Sequence, residues 1–190
     1  MKTKYKLLFI WMLVMMLPIQ AFAQNFTAGD PVTLQIPSFS MIATNNAPVS
    51  LTLSTNVPGA MLNPSSNSNV FVRITSIVPG ATHRNITARI ASGVVPQGTM
   101  LKLISAPSTT TNSGGNLGIP TSTPIILDNT DKILINNIRT CYTGTGLNDG
   151  YRLTYTWEPN TQQGQYGLIN ATTTDVTITV VLTISAHLSN

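Results

Sequence analysis

The sequence predicts an all-β fold, an immunoglobulin-like antiparallel β-sandwich of about eight or nine strands, with a jelly roll as the alternative. Three observations predict it. From about residue 30 onward, apolar and polar residues alternate with the strand period of two. Only 8% of the 190 residues are charged, against about 25% in an average globular protein, and Glu occurs once, at Glu158. Exposed helix faces need Glu, Lys, Gln and Arg. This chain carries Thr, Ser, Asn and Gly in their place, residues suited to strands and turns. Third, breaker clusters divide the alternating runs: Asn56-Val57-Pro58-Gly59, Asn63-Pro64-Ser65-Ser66, Val78-Pro79-Gly80 and Pro96-Gln97-Gly98.

In chain order, the predicted strands begin with Val32–Ile36, Val49–Ser54 and Val70–Ile77. Ile86, Ala88 and Ile90 then alternate against Asn85, Thr87 and Arg89, so one face is apolar and the other wet. Met100–Ser105, Pro124–Leu127 and Lys132–Ile138 follow as shorter candidates. Tyr151, Leu153, Tyr155 and Trp157 alternate against Arg152, Thr154 and Thr156. The longest run is the last, Thr174 to Ser185, with Val176, Ile178, Val180, Leu182 and Ile184 on one face. Two segments read as loops: Pro107 to Gly118, and the Gln-rich stretch from Asn160 to Gly167. No linker divides the chain, so one sandwich domain is expected over residues 24–190, with 24–30 as a leader.

The N-terminus has a different grammar. Lys2, Lys4 and Lys6 precede an apolar run from Leu7 to Leu17, then Pro18 and Ala21-Phe22-Ala23. This is the layout of a secretory signal peptide over residues 1–23, with cleavage leaving Gln24 first. The run is short for a membrane span, so no span is expected after cleavage. The compartment is then periplasm, cell surface or the extracellular medium. Gln24, not Cys, follows the cleavage site, which excludes a lipoprotein anchor.

The formal charge of +4 is mostly a property of that leader. From Gln24 onward seven basic residues face six acidic ones, a net of +1 with both signs scattered. No basic stripe exists for a phosphate backbone, so nucleic acid is not an expected partner.

Catalytic chemistry is equally thin. The only histidines are His83, in a turn, and His187, near the C-terminus, and no G-x-S-x-G is present. Asp128, Asp131, Asp149 and Asp175 fit turn or strand-start roles. Glu158 beside Trp157 is the one carboxylate suggestive of a sugar site. Asp128-Asn129-Thr130-Asp131 offers oxygen ligands but lacks the spacing of a calcium loop. No zinc cluster, metal site or cofactor is expected, and the chain reads as a non-enzyme. The single cysteine, Cys141, is either a small buried strand residue or an intermolecular thiol.

Two features suggest binding. Tyr142, Tyr151, Tyr155 and Trp157 are concentrated in one stretch, and with Tyr166 they offer aromatic surface; Trp157, Tyr155 and Tyr166 are the candidate glycan contacts. The parity shared by Tyr151, Tyr155 and Trp157 equally suits a core stripe. The final strand, carried by Val176, Ile178, Val180, Leu182 and Ile184, is uncharged and β-branched. At a sheet edge it would add a strand from self or from another surface subunit; at a sheet centre it would be structural.

Cys141-Tyr142-Thr143-Gly144-Thr145-Gly146 and Gly150-Tyr151-Arg152-Leu153-Thr154-Tyr155-Thr156-Trp157, with the alternating last strand, resemble a group of uncharacterised secreted proteins of Bacteroidetes-type bacteria. Arg84-Asn85-Ile86-Thr87-Ala88-Arg89-Ile90 and Val95-Pro96-Gln97-Gly98 look similar too. More loosely, the chain resembles fimbrial and spore-coat-type subunits, although it lacks the cysteine pair of many pilins. The resemblance implies an exported β-sandwich without an assigned activity. The functional expectation is an exported structural or adhesive subunit, fimbrial-like, that assembles through β-strand contacts. The alternative is a secreted carbohydrate-binding module.

Overall fold

A computed structural model describes residues 29–108 and 111–186. Chain contacts divide it into Met1–Gln35 and Ile36–Asn190. In the first unit, the described residues 29–35 are exposed and form no strand.

The second unit is all-β. Its strands are β1 (Phe39–Thr44), β2 (Ser65–Ile77), β3 (Arg84–Ser92), β4 (Thr99–Ser105), β5 (Gly114–Gly115) and β6 (Ile119–Pro120). They continue with β7 (Ile125–Ile126), β8 (Lys132–Ile138), β9 (Cys141–Tyr142), β10 (Tyr151–Pro159) and β11 (Thr179–Ile184). A 3₁₀ turn, Tyr166–Leu168, interrupts the last connection. Two antiparallel sheets pack face to face. One runs β5-β9-β2-β10-β4-β7, with β1 also on β2; the other runs β11-β3-β8-β6.

β2 organises the larger sheet. Val72 pairs with both Thr44 and Tyr151, and Ser76 with both Ser40 and Cys141. A strand residue has only two sides, so β1 holds one side of β2, and β9 and β10 share the other. The core lies between the sheets and takes alternate residues from each: Val70, Val72 and Ile74; Ile86, Ala88 and Ile90; Leu101 and Leu103; Tyr151, Leu153 and Tyr155.

Several expected boundaries move. Val32–Ile36 is not a strand, although its alternation is real. Val49–Ser54 is also irregular, with one isolated bridge from Ser54 to Asn63, although Leu51 packs on the core. The Asn63-Pro64-Ser65-Ser66 turn gives way at Ser65 to β2, whose polar start is held by hydroxyl pairs, Ser66 with Thr156 and Ser68 with Thr154, each at 2.9 Å. The Pro107–Gly118 loop contains β5, which pairs with β9. The last strand is shorter than its alternation, Thr179–Ile184 rather than Thr174–Ser185. In β8, consecutive Leu134 and Ile135 are both buried. Its register against β3 shifts on either side of Ile86, and Asn137 sits at φ 56°, the left-handed kink of an irregular ladder.

Candidate functional site

β11 is an edge strand. Among the described residues it pairs only with β3, from Thr179 opposite Ser92 to Ile184 opposite Ile86. Its far side therefore presents unpaired backbone N–H and C=O groups. β1 is the corresponding edge of the other sheet, and β1 and β11 approach each other across the sandwich. The two form one flank of the domain.

This flank is unguarded. β1 and β11 have six residues each, with no charge and no proline in either. The other terminal strands, β5, β6 and β7, have two residues each, and β6 ends in Pro120. Short strands and proline are standard protection against edge pairing.

Burial falls towards the open flank. In β3, Ile86 and Ala88 are fully buried. Val180, Leu182 and Ile184 face the same core from β11 and are opposite Ile90, Ala88 and Ile86, yet they are only half-buried. The wall beside them is missing, so they retain apolar surface that one further strand would cover.

One end of the flank is anchored. Arg84, itself buried, donates from Nη1 to the Ser185 carbonyl at 2.9 Å and from Nη2 to Ser38 Oγ at 3.1 Å. Ser38 Oγ in turn donates to the Ile77 carbonyl at 2.9 Å. Asn85 continues the seam, its N–H donating to Ser185 Oγ at 2.8 Å. The starts of β1 and β3 and the end of β11 are thus tied together.

Of the five assembly residues expected from the sequence, Val180, Leu182 and Ile184 lie on β11; Val176 is exposed and Ile178 half-buried in the segment before it. The three candidate glycan contacts are not gathered on an exposed platform. Tyr155 is 8% exposed and belongs to the core, and burial pushes its hydroxyl pKa up to about 12. Trp157 shares that inward parity, packs against the core and donates Nε1–H to Thr99 Oγ1 at 2.9 Å. Only Tyr166 reaches the surface, where its hydroxyl accepts from the Leu62 N–H at 3.1 Å. The aromatic stripe is a core stripe.

The polar candidates are engaged locally. Glu158 points opposite to Trp157 and pairs with Lys102 at 2.5 Å. Asp128 accepts from Thr130 and pairs with Lys132, which hold its carboxyl down to about 2. Asp131 accepts from Thr87 and pairs with Arg89. Asp149 closes its own loop by accepting from the Gly146 N–H at 2.8 Å. Asp175 is exposed, His83 is half-buried in its turn, and His187 lies outside the described residues. Among the described residues, no three His, Cys, Asp or Glu side chains come together as a metal site. Cys141 is free and buried, and burial raises its thiol to about 11. A thiol in that position is unsuited to an intermolecular disulfide.

Sequence reasoning missed Arg84 and Ser38. A lone arginine in a turn carries no signal that it will be buried against two carbonyls and a hydroxyl. Compared with known protein families, curated proteins and solved structures, the chain matches none significantly.

Proposed function

We propose that this chain is an exported, non-enzymatic structural or adhesive subunit that assembles by adding a β-strand at β11. The observation that carries the reading is the unguarded flank: a six-residue uncharged edge whose core-facing Val180, Leu182 and Ile184 stay half-buried. Strand addition supplies main-chain hydrogen bonds to the edge and covers that apolar surface in the same event. The near-neutral, Thr-rich surface offers little charge repulsion between copies. Export by the N-terminal leader places the subunit where such assembly forms surface or matrix material.

Sedimentation of the purified chain across a wide concentration range tests this. Assemblies that grow with concentration are expected. Thr179→Lys/Thr183→Lys puts two charges on exposed positions of β11 and should weaken assembly by roughly tenfold or more while leaving the fold intact. A chain that stays monomeric throughout, or a lysine variant that assembles unchanged, contradicts the reading.

A further inference from the structure

We propose that the outer face of the larger sheet binds a uronate-bearing glycan, with Tyr142 as a stacking platform and Arg73 and Arg152 as carboxylate partners. The site goes beyond the strand-addition reading and does not depend on it, because β11 edges the other sheet. Phe71, Arg73 and Thr75 alternate along β2 with the buried Val70, Val72 and Ile74, so they point away from the core. Arg152 of β10 is opposite Phe71, and Tyr142 of β9 is opposite Thr75. Opposed residues share a sheet face, so Arg152, Arg73 and Tyr142 follow one another along the outside of β2. The stretch from Phe71 to Thr75 is roughly 13 Å at strand spacing, room for a short oligosaccharide rather than a single sugar.

Tyr142 is 54% exposed, and Gly114 decides how its ring lies. The two are opposite each other in register. A Cβ on Gly114 would stand 2.8, 2.9 and 2.9 Å from Cε1, Cζ and Oη of Tyr142. Near-equal distances to three consecutive atoms of a planar phenol place that point above the plane, not beside its edge. The tyrosine therefore lays one face on the glycine and turns the other to solvent. An open aromatic face takes the C–H face of a pyranose, and the phenol hydroxyl bonds the edge of the sugar. Met41, 60% exposed and opposite Thr75, extends the apolar surface on the other side of β2.

The charges on this face are uncompensated. Arg73 Nη1 donates to the Thr145 carbonyl at 2.6 Å, a neutral acceptor that fixes the guanidinium without cancelling it. Arg152 is exposed, and among the described residues the ion pairs are Arg89–Asp131, Lys102–Glu158 and Lys132–Asp128, which include neither arginine. Asp149, the carboxylate of the adjoining loop, is buried and accepts from the Gly146 N–H and the Asn112 amide. An anionic partner is thus the electrostatic complement of this face. A planar carboxylate matches the guanidinium fork bidentately. Two cations spaced along one strand suit a polymer with at most one charge per sugar, and a sulfated glycan brings denser charge than they can meet. A nucleic acid would also stack on Tyr142, but its backbone brings a phosphate at every unit, and two arginines are too few for it.

Isothermal titration with oligogalacturonate tests this, in the chain expressed from its full sequence and purified as the cell processes it. A cello-oligosaccharide is the neutral probe and chondroitin sulfate the sulfated one. Oligogalacturonate should bind, less tightly as salt rises, and the other two should bind at least about tenfold more weakly. Arg152→Gln removes one charged hydrogen bond at an exposed position, so it should weaken binding by about tenfold or more with an unchanged melting curve. Tyr142→Ala should weaken binding as much, and Tyr142→Phe, which keeps the ring, should recover most of it. Should Tyr142→Ala lower the melting temperature, Arg152→Gln still decides. Absence of oligogalacturonate binding overturns the proposal, and so does binding that neither Arg152→Gln nor Tyr142→Ala changes. Equal binding of the cello-oligosaccharide overturns the role of the arginines, and tighter binding of chondroitin sulfate overturns the carboxylate assignment. The titration is read on dilute chain, so the strand-addition reading stands or falls separately.

Discussion

Arg84 Nη1 donates a 2.9 Å hydrogen bond to the carbonyl of Ser185, 101 residues later in the chain, and joins the start of β3 to the end of β11. The guanidinium is buried, and among the described residues it has no carboxylate partner. Its binding rests on backbone and hydroxyl oxygens, which favours the planar multi-donor Arg over Lys. Arg84→Met should leave Ser185 and Ser38 without their donor at the anchored end of the flank. Net losses of about 1.5–3 kcal/mol accompany removal of each charged hydrogen bond, so a loss near 3 kcal/mol is expected overall. That corresponds to a fall in Tm of roughly 10 °C by calorimetry. Arg84→Lys should recover only part of it. An Arg84→Met variant with unchanged Tm would show that the clamp contributes nothing.

A second prediction concerns backbone approach. Gly150 opens β10 at φ +93°, and a Cβ there would meet the Val72 carbonyl oxygen at 2.0 Å. Any side chain must push β10 from β2 at the first residue pair of their ladder. Gly150→Ala should therefore cost at least about 3 kcal/mol. Gly59 is a matched control, with φ +83° but open space around it. Gly59→Ala should cost only the conformational strain, about 1–2 kcal/mol. Urea unfolding of both variants measures the difference, and equal losses would refute the close approach.

A third prediction is alkaline sensitivity. Burial raises the Cys141 thiol from about 9 to about 11 and the Tyr155 hydroxyl from 10 to about 12. Tyr151 is raised further, by burial first and then by the neighbouring Cys141. In each case the folded pKa exceeds the unfolded one, so the folded state favours the protonated form. Their contribution is complete below the unfolded values and is lost as pH rises through the folded ones. Stability should hold steady to about pH 9 and fall between about pH 9 and 12. Cys141→Ala should remove the earliest part of that fall. Chemical denaturation at stepped pH would detect it, and a flat profile to pH 12 would contradict the buried positions.

Much of the sandwich was legible in the sequence because its central strands have one wet face and one dry face. β3 and β10 alternate cleanly, and the parity of Tyr151, Tyr155 and Trp157 already allowed a core stripe. β8 was recognised at its observed bounds, but its buried Leu134-Ile135 pair reflects a register shift that depends on β3. The polar start of β2 was hidden because Ser66 and Ser68 satisfy each other's strand only through Thr156 and Thr154, some 90 residues away. Val32–Ile36 misled in the opposite direction: alternation marks a segment fit to pair, and only tertiary structure shows whether a partner exists. The same limit applied to the last strand. Its pattern is identical at a sheet centre and at an edge, so its place beside β3 alone had to come from the fold.

Strand addition at β11 is the central claim, and residue-resolved hydrogen exchange tests it most directly. In the monomer, alternate amides of Thr179–Ile184 bond to β3, and the others face the open flank. The outward-facing amides should exchange rapidly in dilute monomer and become protected as assembly proceeds, with the β3-facing amides protected throughout. Outward-facing amides that still exchange rapidly in fully assembled material would contradict the account.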